Sequence, residues 1–257
     1  MMADATKAAR KSRDWRTILF RILAALAALF FVTNLRLVPE PWLALGGPDF
    51  RQWSDAMTVA IAILTIGSLV AVIWRPREMA LPLQYLAIAT VLAVIEIAPF
   101  EGPYIFFVVV PLILVIAAYP EPRALMSLRP EGSIIRPLLV LGLLAAVSLA
   151  PGLWLALGRE IQGVSGDWIT NFEHTVSLLL AGILTSTRRP GWRVLGILTG
   201  AVFLYLGAAA LAVPDAPGSW GTVGGILALL CGAAYITLTL FESRRMERLP
   251  AAGREVR

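Results

Sequence analysis

Eight long apolar stretches, separated by short polar connections, leave this chain few ways to fold. They run Thr17–Leu35, Ala56–Trp74, Leu81–Ala98, Tyr104–Tyr119, Ile134–Leu155, Phe172–Thr187, Trp192–Val213 and Thr222–Phe241. A helix needs roughly 17–25 such residues to cross a bilayer; most of the stretches reach that length, and the fourth and sixth fall just short. Hydrocarbon offers the backbone no hydrogen-bond partner, so each crossing segment must satisfy itself as a helix. Only 15% of the residues are charged, where a soluble domain carries about 25% to clothe its surface. The expected fold is all-α, a polytopic integral membrane bundle of about eight transmembrane helices.

Charge orients this bundle. Cytoplasmic loops collect Lys and Arg. On an eight-span reading one side receives Lys7, Arg10, Lys11, Arg13 and Arg16, then Arg75 and Arg77, Arg123, Arg129 and Arg136, Arg188, Arg189 and Arg193, and finally Arg244, Arg245, Arg248, Arg254 and Arg257. The other side receives only Arg36, Arg51 and Arg159, while Arg21 falls inside the first stretch. A miscounted helix would scramble this alternation, so the expectation is N-in and C-in. All eight tryptophans lie at or just beyond the ends of apolar stretches, at the depth that suits an amphipathic ring. The expected organisation is a basic cytoplasmic tail over 1–16, one transmembrane bundle over 17–241 and a second cytoplasmic tail over 242–257. The basic start lacks a small-residue cleavage site, so the first apolar stretch reads as a retained helix. The expected location is the plasma (inner) membrane. Positive charge dispersed over tails and loops in this way points to lipid headgroups and not to nucleic acid.

Few residues in the apolar stretches carry chemistry. Glu96 lies about one turn inside the third, where a carboxylate is costly and usually faces the bundle interior. Glu101, Glu173 and His174 flank the same predicted face of the membrane, and with Glu96 they form a candidate polar vestibule. Glu173 also sits where a helix N-terminus favours a carboxylate. Neighbours on a helix point about 100° apart, so Glu173 and His174 are not expected to share one helical face. With one histidine in the chain, bis-histidine haem is excluded; no metal site and no cofactor is expected. Gly196 and Gly200, like Gly221 and Gly225, have the small-xxx-small spacing that lets helix backbones approach. They mark a packing face, either between the seventh and eighth spans or with a membrane-protein partner or second copy of the chain.

Two short segments bear on enzymatic function. Gly163–Gly166 (GVSG) resembles the nucleophile motif of rhomboid proteases, but it falls in an external loop and reads as a turn. Pro99–Ile113 (PFEGPYIFFVVVPLI) resembles the acidic motif of membrane carotenoid cyclases, with Gly102 where that motif has a second acid. One deep acid without a nucleophile–base pair favours a small transporter or an accessory subunit of a membrane complex. The alternative is an intramembrane enzyme acting on a lipid or isoprenoid at the outer leaflet. Reporter fusions test the topology: those after Ala80 and Arg189 should score cytoplasmic and those near Gly47 and Ala216 external. An external signal at Ala80 would break the eight-span count.

Overall fold

The computed structural model describes residues 2–37, 50–97, 102–127, 130, 133–163 and 168–248. Each of the eight apolar stretches folds as a helix: α1 (Met2–Val32), α2 (Phe50–Trp74), α3 (Ala80–Ile97), α4 (Gly102–Ala117), α6 (Arg136–Ile161), α7 (Trp168–Thr185), α8 (Trp192–Ala212) and α9 (Gly221–Arg248). A short helix, α5 (Pro122–Met126), and a 3₁₀ turn over Thr33–Leu37 complete the order, and no strand occurs among the described residues. The first helix starts well before the apolar stretch, because the Ala-, Lys- and Arg-rich segment ahead of it favours helix and holds no breaker. Five of the helices are long and apolar enough to cross a membrane: α1 from Trp15, α2 from Gln52, α6, α8, and α9 as far as Glu247.

The distribution of side chains is inside-out relative to a protein that meets water. Ile18, Ile22, Leu26 and Leu29 on α1, Val140, Leu143, Leu144 and Val147 on α6, and Val223, Ile226, Leu227 and Leu230 on α9 all point outward. Polar side chains such as Ser68, Gln84, Thr90, Asn171, Ser177 and Thr199 are buried. Hydrocarbon solvates the first set as well as a protein core would, and gives the second set nothing to bond. The helices α2 and α8 are more than half buried, whereas α1, α6 and α9 present most of their surface outward. At the centre, α7 packs against α2, α3, α6 and α8.

Glycine sets the closest contact in the bundle, which joins α8 to α9. A Cβ on Gly200 would lie 2.8 Å from the Gly232 carbonyl oxygen, and one on Gly207 2.8 Å from that of Gly225. The relation is reciprocal, since a Cβ on Gly225 would come within 2.9 Å of the Gly207 carbonyl. At Gly196 the same atom would meet the Thr239 hydroxyl at 2.5 Å. The seam therefore lies within one chain and runs antiparallel, backbone against backbone. Gly221 stands outside it: it opens α9 with φ +65°, and its nearest neighbour to a Cβ, the Pro214 carbonyl, is 3.8 Å away.

The end of the bundle that holds the arginines is tied by a buried polar knot. Arg189, 2% exposed, donates to the Gln84 side-chain oxygen and to the Ala124 carbonyl of α5. Gln84 in turn donates to the Leu125 carbonyl at 3.2 Å, and the Leu81 N–H bonds the Pro190 carbonyl at 2.9 Å. Arg188, with φ +56°, reaches Ser133 at 3.0 Å and Glu242 at 3.4 Å. One loop thus fastens α3, α5, α9 and the approach to α6 together. The glycine seam predicts that Gly200→Leu or Gly225→Leu lowers stability by about 1–3 kcal/mol through overpacking. Gly152→Leu, at a site with open space, should melt like the parent in detergent, and equal melting of all three would disprove the seam.

Candidate functional site

The polar side chains inside the bundle gather on α7. Its exposed surface is small because ten of its eighteen residues are buried, among them Asn171, Glu173, Thr175 and Ser177. A helix surrounded by four others can carry such residues at membrane depth, since neighbouring helices replace the solvent. Glu173 lies about 7.5 Å along the axis from the start of α7 at Trp168, at 1.5 Å per residue.

Two neighbours engage its carboxylate. Ser177 donates its hydroxyl to Glu173 Oε1 at 3.2 Å, one turn further into the helix. His174 Nε2 stands 3.4 Å from Glu173 Oε2. The adjacent pair meets although its Cα–Cβ bonds diverge, because both side chains are long enough to lean together across the helix surface. From α3, the fully buried Tyr85 brings its hydroxyl beside Ser177 and within electrostatic reach of Glu173. His174, Glu173 and Ser177 thus form a contiguous polar cluster on α7, and the Tyr85 hydroxyl of α3 is buried near it without a hydrogen-bond partner among the described residues. His174 Nδ1 is buried without a hydrogen-bond partner among the described residues.

Of the other candidates read from the sequence, Glu96 belongs to the last turn of α3 with its side chain outside the described residues, and Glu101 lies wholly outside them. Gly163 begins the expected turn with φ +64°, its N–H bonded to the Glu160 carbonyl at 2.9 Å, and 164–167 lie outside the described residues. Among the described residues no cluster of His, Cys, Asp and Glu is set to hold a metal. Ser177 and Tyr85 escaped the sequence reading because a single hydroxyl in an apolar helix has no motif, and only tertiary packing places it against a carboxylate.

The opposite flank of α7 borders a cavity of about 260 Å³ at the end of the bundle opposite the Arg188–Arg189 loop. Asn171 and Trp168 of α7, Trp53 of α2, Ser148 of α6 and Trp220 ahead of α9 contribute to its wall. The Trp53 and Trp220 rings meet edge to face with centroids 5.3 Å apart. The Asn171 side chain is buried, and neither its amide nitrogen nor its amide oxygen has a hydrogen-bond partner among the described residues. Such an unpaired buried group costs about 1–3 kcal/mol. Comparison with family models, with curated proteins and with solved structures returned no match to the chain.

The network predicts that Ser177→Ala, which removes the donor to Glu173, costs about 1–3 kcal/mol. Thr58→Ala, whose hydroxyl bonds back to the Ser54 carbonyl of its own helix, should cost less. Thermal unfolding in detergent checks the order, and a larger loss at Thr58 would mean that the Ser177–Glu173 bond contributes nothing.

Proposed function

We propose that this chain is a small proton-conducting transporter of the plasma (inner) membrane, crossing it eight times with both ends in the cytoplasm. The observation that carries the reading is the buried Glu173 with His174 at 3.4 Å and Ser177 at 3.2 Å, on a helix packed against four others. An ionisable pair at membrane depth is costly to maintain and is characteristic of proton relays and ion pathways. Glu173 and His174 share protons within the pair, and Ser177 and Tyr85 extend the path toward the arginine-bearing end. The charge alternation of the loops supports the orientation. The remaining three apolar helices, α3, α4 and α7, cross as members of the bundle: α4 is only 16 residues long, and α7 is diluted by the polar groups that make it useful. An acidic external face, including Asp55, Glu160 and Asp215, would concentrate cations and protons at the entrance.

Proteoliposomes loaded with a pH-sensitive dye test the proposal directly, since proton entry is itself the readout. Under an inside-negative potassium diffusion potential, the wild-type protein should admit protons several-fold faster than protein-free vesicles. Glu173→Gln should fall to the protein-free rate while keeping the wild-type circular dichroism. A wild-type rate equal to that of empty vesicles would remove the transport reading and favour an accessory subunit.

A further inference from the structure

We infer that the tryptophan-lined cavity binds the uncharged, hydroxyl-bearing head of an amphiphile, a sugar or glycerol headgroup, whose apolar tail leaves between α6 and α9. Size, lining and access each contribute. At about 260 Å³ the space lies just below the roughly 300–1,000 Å³ of small-ligand pockets and suits a headgroup better than a whole lipid. Its polar lining among the described residues consists of an amide, hydroxyls and indoles, with no ionisable side chain. A charged head would therefore be buried without a counter-charge, whereas a neutral hydroxylated one needs only hydrogen-bond partners to replace those it leaves in water.

Asn171 lines the cavity, and its amide, whose polar atoms are at present enclosed beside Gly218, would supply the specificity on turning toward the space. Its amide offers two donors and an acceptor in one plane, complementary to adjacent hydroxyls. Both of its polar atoms lack a partner among the described residues, although the residue is only 6% exposed. Gly218, at φ +84°, brings the backbone so near that a Cβ there would lie 3.2 Å from the Asn171 nitrogen, which closes the cavity on that side. Trp53, Trp168 and Trp220 add flat apolar faces of the kind that pack against the C–H face of a sugar ring. Behind Trp168, the Arg159 guanidinium covers the ring at 5.7 Å from its centroid and takes no part in the lining.

Access comes from the side that α6 and α9 turn outward. Gly152 and Leu155 of α6 line the cavity and are exposed, and Gly224 of α9 borders it from the other side. A Cβ on Gly152 would meet nothing within 4 Å, so the mouth is open at that point. An amphiphile in the outer leaflet can enter here without passing through water. The inference rests on the membrane-embedded reading and not on proton conduction, because Glu173 and Ser177 occupy the other flank of α7.

The test uses the full chain in a detergent-free polymer belt with octyl glucoside below its micellar concentration, read by thermal unfolding and by tryptophan fluorescence. Octyl glucoside should bind saturably and raise Tm. Octyl sulfate, octyltrimethylammonium and free glucose should each bind at least roughly tenfold more weakly, a difference of about 1.4 kcal/mol. Asn171→Leu should weaken octyl glucoside by a similar factor. Gly152→Phe, which plugs the mouth without touching Asn171, should do the same while unfolding like the wild type in the absence of ligand. Wild-type affinity in Gly152→Phe, or no saturable binding to the wild type, would overturn the site. Equal affinity for either charged amphiphile would overturn the neutral head, and equal affinity for free glucose would overturn the amphiphile. The assay reads binding alone, so its outcome is separate from that of the proton measurement.

Discussion

The constraint from which the rest of the bundle follows is that α7 carries Asn171, Glu173, His174, Thr175 and Ser177, groups that hydrocarbon cannot solvate. No single neighbour can cover all of them, because their positions wind around the helix. Four helices do: α2, α3, α6 and α8. The apolar exteriors of α1, α6 and α9 are the complement of this arrangement, since the polar interior is acceptable only inside a closed apolar sleeve. The glycine seam has a part in the closure. By letting α8 and α9 approach backbone to backbone, it brings Tyr235 of α9 inward until its hydroxyl abuts Gly142 of α6 and Gly182 of α7.

The two flanks of α7 differ in chemistry. Toward α3 the groups are ones that can gain or lose a proton or donate a hydrogen bond: a carboxylate, an imidazole, an alcohol and a phenol. Toward α6 and α9 they are neutral, with indoles and an unpaired amide around open space. At the other end of the bundle, Arg189 and Gln84 tie the loop after α7 to α3 and α5, so the helix is anchored where the arginines lie.

Much of the architecture could be read from periodicity and composition alone. The Trp192–Val213 stretch became helix Trp192–Ala212, and Ala56–Trp74 became the last five turns of Phe50–Trp74. Gly200 and Gly225 stood out because small-residue spacing has a local signature. Their partners, Gly232 and Gly207, became apparent as partners only when the register of α8 on α9 was known. The site was less legible for the same physical reason. Glu173 and His174 drew notice as ionisable residues at the edge of an apolar stretch, yet the helical angle between them argued against their contact, and side-chain length overcame it. Asn171, Ser177 and Tyr85 gave no signal, since what each can do depends on which helix lies opposite. Arg189 reads as an ordinary loop cation until α3 and α5 are seen to enclose it.

The polarity of α7 also bears on how the chain is made. Helices enter a bilayer from the insertion machinery in chain order, and each is judged first on its own affinity for lipid. The stretch Trp168–Thr185 is not among those apolar enough to cross by themselves. It emerges after α2, α3 and α6, which supply three of its four walls, and before α8, which supplies the last. On the eight-span reading proposed above, α7 has one open side toward lipid or the insertion channel until the α8–α9 hairpin zips along its glycines. On that reading, nascent chains that stall or end before that hairpin would present a polar helix with one unsatisfied face.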